Sequence, residues 1–118
     1  MEEFEIIFYE KNDGTVPAKE FILSLDKKMK AKMFRTIKLL QNNGYELREP
    51  YSKSVNEGIL ELRVKIGSDI VRMMYFFVEG KKAILTNGFI KKTQKTPKEE
   101  IECAKIYRAD YFQQKEED

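Results

Sequence analysis

The chain has 118 residues, of which 42% are hydrophobic and 36% charged, and its formal net charge is +2. That length and balance fit one globular domain over residues 1–118 rather than a disordered chain. Histidine is absent and Cys103 is the only cysteine, which excludes a histidine base, a Ser-His triad, a His-held metal and an internal disulfide.

Phe4-Glu5-Ile6-Ile7-Phe8-Tyr9 reads as a first strand, and Asn12-Asp13-Gly14 as a turn. A helix is expected to begin near Pro17, with Phe21, Ile22 and Leu25 on one face. Asp26 is placed to cap a second helix, in which Met29, Met33, Ile37 and Leu40 recur at spacings of four, four and three. Asn42-Asn43-Gly44 ends it. From Lys27 to Tyr45 there are six cations and no acid, so a near-neutral total hides a basic region. Lys28, Lys32, Arg35 and Lys38 give this helix a charged outer face. Such a face either keeps the helix solvated or contacts RNA phosphates.

Glu46 to Glu57 has no clear period and contains Pro50, and reads as a loop. Three strands follow. In Ile59–Ile66, Leu60, Leu62, Val64 and Ile66 alternate with Glu61, Arg63 and Lys65, the pattern of a half-exposed strand. Ile70–Val78 is apolar on both faces except at Arg72, which predicts a central strand. Ala83–Ile90 completes a meander. A last helix is predicted from Pro97 to about Phe112, with Ile101, Ala104, Tyr107 and Tyr111 as its packing stripe. Thr96-Pro97-Lys98-Glu99 has the form of a capping box with proline at the first helical position. The order is β-α-α-β-β-β-α, an α+β pattern in which the first strand joins the later sheet. Cys103 reads as an inert core thiol on the last helix, and a reducing, cytoplasmic home fits. No leader and no membrane-spanning apolar run is expected.

Two features carry chemistry. Lys91, Lys92, Lys95 and Lys98 fall within eight residues, with no acid among them, between a strand and a helix start. A cluster fixed in this way can neutralise phosphate at a chosen place, although a solvated loop would look the same. Arg72 interrupts an apolar strand, and burying it demands an acid partner such as Glu61 or an exit into a cleft. Arg63 and Arg72 can share one sheet face, with Lys91 and Lys92 bordering it. With Tyr75 and Phe89 nearby for stacking, such a surface suits single-stranded nucleic acid.

Three stretches resemble the phage-derived toxins of the HigB type, within the RelE/ParE superfamily. They are Gly44–Leu47 with Pro50–Val55, Gly58–Arg63 leading to Val71–Phe76, and Gly88–Pro97 continuing to Glu100-Ile101, Ala104, Arg108 and Asp110-Tyr111. The most specific is Phe89-Ile90-Lys91-Lys92-Thr93-Gln94-Lys95-Thr96-Pro97 followed by Ile101 and Ala104. The resemblance implies a RelE-like α+β fold with helices on a twisted, mainly antiparallel sheet. It further implies a type II toxin that cuts mRNA in the ribosome and a partner antitoxin of the helix-turn-helix kind; separately, no cofactor or metal is expected. The ParE branch instead poisons DNA gyrase, and a non-catalytic nucleic-acid-binding module is a third alternative.

The implied reaction is attack of a ribose 2′-hydroxyl on the adjacent phosphate. Arg72 matches the superfamily's arginine in the pattern x-Arg-x-x-Tyr and is expected to stabilise phosphate charge. Lys91 or Lys92 is expected to transfer a proton or hold the phosphate. Arg63, Lys95, Tyr75 and Phe89 are expected to bind substrate, and Lys28, Lys32, Arg35 and Lys38 the ribosome. Removal of Arg72 or Lys92 is expected to spare folding. The superfamily's earlier strand lysines are unmatched here; Glu61 stands in that region.

Overall fold

A computed structural model describes residues 3–91 and 95–117 of the chain. Its elements are β1 (Glu5–Phe8), α1 (Pro17–Ser24), α2 (Lys27–Asn43), a short 3₁₀ turn (Gly44–Glu46), β2 (Ser52–Asn56), β3 (Ile59–Ile66), β4 (Asp69–Val78), β5 (Lys82–Lys91) and α3 (Lys98–Glu117). The five strands form one sheet in the order β1-β5-β4-β3-β2. Pairing is antiparallel except between β1 and β5, which run parallel. The α+β reading therefore holds, with β4 at the centre and β1 joined to the sheet.

One strand was not expected. Ser52–Asn56 lies in the region read as a loop, and pairs with β3 through a two-residue turn at Glu57-Gly58. Both turn residues have positive φ, 46° and 83°, the geometry whose twist suits a tight hairpin. Pro50 stands just before the strand, where its missing N–H breaks no ladder bond.

Alternation along the strands creates two cores. Leu62, Val64, Val71, Met73, Tyr75, Ala83 and Leu85 pack against α1 and α2, through Ala18, Ile22, Met29, Met33, Ile37 and Leu40. Ile59, Met74, Phe76, Ile84 and Phe89 pack on the other face, against Ala104 and Tyr111 of α3. Helices thus cover both faces of the sheet. Asp26 caps α2 as its sequence suggests, accepting from the Met29 N–H at 2.9 Å. Gly44 ends α2 with φ +53°, and a Cβ there would overlap the Phe4 ring.

A bulge in β5 decides which face the end of that strand presents. Met73 lies opposite Gly88 and Tyr75 opposite Leu85, so β5 has three steps where β4 has two. The extra residue inverts the side-chain parity. Ile84 and Phe89, an odd number of residues apart, consequently face the same side, as does Lys91 beyond them. Polar side chains hold the irregularity. The Thr86 hydroxyl bonds the Met74 carbonyl and Asn87, and the Asn87 amide donates to the Glu100 carbonyl and carboxylate. On the opposite face Gly88 lies against α1, where a Cβ would sit 2.2 Å from the Phe21 ring. No helix among the described residues is long and apolar enough to cross a membrane.

Candidate nucleic-acid interface

The α3 face of the sheet carries an island of charge. Arg63 of β3 and Arg72 of β4 are directly opposite each other, and Phe89 of β5 is opposite Arg72. Glu61 is two residues along β3 from Arg63, and Lys91 two along β5 from Phe89, so both share the face. Lys53 of β2 is paired with Glu61.

Glu61 is the hub. Arg72 Nη1 donates to its Oε2 at 2.6 Å, and the Thr96 hydroxyl donates to its Oε1 at 2.6 Å. Arg63 Nε stands 3.8 Å from the same carboxylate and reaches outward to Glu49 at 3.5 Å. The strand expected to be half-exposed is closed at this position, because the approach to α3 lies over it: Glu61 and Arg72 are each 1% exposed. Two buried charges this close are tolerable only because each satisfies the other. The Thr96 hydroxyl is engaged with the sheet, and α3 begins at Lys98, one residue beyond the expected start.

Lys91 is buried beside this pair. Burial lowers its pKa, repulsion from Arg72 lowers it further, and Glu61 opposes the shift. Burial likewise lowers the pKa of Arg72, with Glu61 opposing; a guanidinium nonetheless stays charged in any accessible range. Above these groups opens a cleft of about 230 Å³ lined by Lys53, Glu61, Arg63, Lys91, Lys95 and Thr96, with Val55 and Ile101 as apolar wall. Four cations and one carboxylate line it, a composition suited to a polyanion. Among the described residues no cluster of acids, cysteine or histidine suited to a metal occurs.

Residues 20–109 match the family described as phage-derived protein Gp49-like (DUF891). The chain belongs to this Gp49-like family. It is a RelE/toxin-like family, and the three helices and mixed five-stranded sheet are compatible with a RelE-like fold. No curated protein matches the chain.

Of the candidate residues in this Gp49-like chain, Arg63, Arg72, Lys91 and Lys95 meet at or beneath the cleft. Lys92 lies outside the described residues. Phe89 is on the correct face but only 8% exposed, packed with the α3 core, so its ring is not available to a base. Tyr75 is on the other face: three residues from Arg72 is an odd step, and its hydroxyl bonds Ser52 in the α1–α2 core. The α2 cations occupy the opposite layer from the cleft. Lys28 and Arg35 are exposed, Lys38 lies 3.7 Å from Glu3, and the half-buried Lys32 donates to the Lys65 carbonyl. Lys53 was missed because its strand was missed; the Glu57-Gly58 turn beside a clear strand was the available signal. Cys103 is half-buried on α3, and burial raises its pKa, in keeping with an inert thiol.

Proposed function

We propose that this protein is the toxin of a type II toxin–antitoxin system, of the HigB type, that cuts mRNA on the ribosome. Membership of a RelE/toxin-like family supports the toxin reading at the coarse level. The observation that carries the nuclease reading is Lys91, buried beside the Glu61–Arg72 pair on the floor of a cation-lined cleft. A proton acceptor and a proton donor of unlike charge meet there without any histidine.

The step requires three services. The 2′-hydroxyl must lose its proton, the charge building on the phosphate must be offset, and the leaving 5′-oxygen must gain a proton. Glu61 accepts from Arg72 on one oxygen and from the Thr96 hydroxyl on the other, and each carboxylate oxygen retains a second lone pair, so it takes the 2′-hydroxyl proton. The 2′-oxygen then bonds to phosphorus. Lys53, Arg63 and Lys95 line the cleft where charge builds on the phosphate oxygens, the kind of fixed electrostatics that lowers such barriers most. Lys91 gives a proton to the 5′-oxygen as the P–O5′ bond breaks. A lysine with a lowered pKa is a stronger acid than a free one. The products are a 2′,3′-cyclic phosphate and a 5′-hydroxyl. In this step Arg72 acts through Glu61, positioning that carboxylate. The partners of this reading are the ribosome, mRNA and a cognate helix-turn-helix antitoxin.

The test is primer extension on mRNA after induction, with wild type and Lys91→Met. Cuts made by the wild type and lost in the variant are expected. Intact mRNA together with a DNA damage response would overturn the nuclease reading in favour of a gyrase poison.

A further inference from the structure

A second cavity of about 250 Å³ adjoins the cleft, lined by Pro50, Arg63, Val64, Lys65, Ile70 and Arg72. Three cations line it and no acid does. Arg63 lines both spaces. Arg72 meets Glu61 through Nη1, but its Nε is buried with no hydrogen-bond partner among the described residues. A buried guanidinium N–H without an acceptor is unusual and marks a place where an acceptor is wanted. Glu49 reaches Arg63 only from the rim, at 3.5 Å, with 61% of its side chain exposed. An ion pair so exposed is a weak competitor for Arg63.

Tyr51 follows Pro50, which lines this cavity. Its carbonyl accepts from the Arg63 N–H at 2.9 Å, which extends the β2–β3 pairing one residue past Ser52. Alternation then puts Tyr51 on the face of Lys53, the face of both cavities. It is 43% exposed, and among the described residues its side chain has no hydrogen-bond partner and no neighbouring aromatic ring. A large aromatic side chain left open beside cations matches the pattern by which proteins hold single-stranded nucleic acid: charge for the backbone, a ring for the base.

We infer that this face forms a second nucleotide subsite, taking a phosphate on Arg63, Lys65 and Arg72 and stacking a nucleobase on Tyr51. The inference rests on the proposed function and deepens it. The substrate it selects is a single strand with at least two phosphates, one in each cavity, bridged at Arg63. The stacking role expected of Tyr75 and Phe89 passes to Tyr51.

A cell-free translation extract programmed with a reporter mRNA tests this, with cut sites mapped by primer extension and thermal melts confirming that each variant folds. Tyr51→Ala should lower cutting by about tenfold or more, and relax the base preference at one position flanking the cut. Tyr51→Phe should restore both. Lys65→Ala should lower cutting without altering base preference, since a phosphate contact reads no base. Wild-type cutting and base pattern in Tyr51→Ala would overturn the subsite and leave the nuclease reading standing. Equal losses in Tyr51→Ala and Tyr51→Phe would overturn the stacking role. No cutting by the wild type would remove the nuclease reading and the subsite together.

Discussion

Arg72 Nη1 lies 2.6 Å from Glu61 Oε2, and the two side chains are 1% and 2% exposed. At this depth the pair is a liability that becomes stabilising only when intact. Glu61→Gln leaves Arg72 beside Arg63 and Lys91 with no counter-charge. A loss of about 3–5 kcal/mol in unfolding free energy is expected, the usual result of orphaning a buried charge. Arg72→Ala should lose a similar amount, contrary to the expectation from sequence that its removal would spare the fold. Glu61→Leu combined with Arg72→Met should recover most of the loss. Urea unfolding of the two single variants and the double variant closes the cycle. Additive losses in the double variant would contradict this account.

Lys91 offers a sharper test of chemistry than of charge. Lys91→Arg keeps a cation in the cleft but replaces a group that can give up a proton with one that cannot. If Lys91 protonates the leaving oxygen, cutting should fall by about 10²–10⁴-fold in Lys91→Arg, the range of a lost general acid. If it only holds phosphate, Lys91→Arg should cut nearly as well as wild type while Lys91→Met does not. Single-turnover cleavage by the two variants separates these outcomes.

Much of this arrangement was legible because local signals agreed. The alternation of Leu60, Leu62 and Val64 against Glu61 and Arg63 fixed two faces of β3, and Asp26 and Gly44 bracketed α2. Arg72 in an apolar run announced either a buried partner or a cleft, and the fold has both. Tyr75 was misassigned although strict alternation already separated it from Arg72. The β5 bulge was not legible. It depends on hydrogen bonds from Thr86 and Asn87 to β4 and α3, and without it Lys91 would face α1 rather than Glu61. The burial of Phe89 was hidden for the same reason, since nothing local says which strand face α3 will cover.

The α2 cations sit on the layer opposite the cleft, so any hold they have on RNA is separate from catalysis. If they bind ribosomal phosphates, the exposed Lys28 and Arg35 are the ones to change. Lys28→Gln with Arg35→Gln should weaken ribosome association and reduce its log–log salt slope by about two, one for each phosphate no longer neutralised. Unfolding free energy should move by no more than about 0.5 kcal/mol, as for other surface changes. Ribosome pelleting across a salt series reads the slope. An unchanged slope would make this helix face a solvated surface and nothing more.

Alkaline pH should expose the buried titrating groups in a defined order. Burial lowers the pKa of Lys91 from 10.5, so between its folded value and 10.5 the unfolded chain binds more protons at this group than the folded one. Stability then rises with pH across that window. Burial and the Asp110 hydrogen bond raise Tyr9 well above its usual 10, burial raises Tyr75, and burial with the Cys103 hydrogen bond lifts Tyr107 to about 12. For these three the folded chain binds the extra proton above pH 10, so stability falls as pH rises past that point. Cys103, raised by burial, adds the same sign from pH 9. Each fully mismatched group contributes at most about 1.4 kcal/mol per pH unit. The tyrosines outnumber the lysine, and a steep net loss above pH 10 is expected. Tyr9→Phe should flatten the fall by one group's share, and Lys91→Met should remove the single contribution of opposite sign and so steepen the fall below pH 10.5. Urea unfolding midpoints measured every half unit from pH 8 to about 11.5 would decide it, and equal slopes in wild type and Tyr9→Phe would refute the burial of a protonated Tyr9 hydroxyl against Asp110.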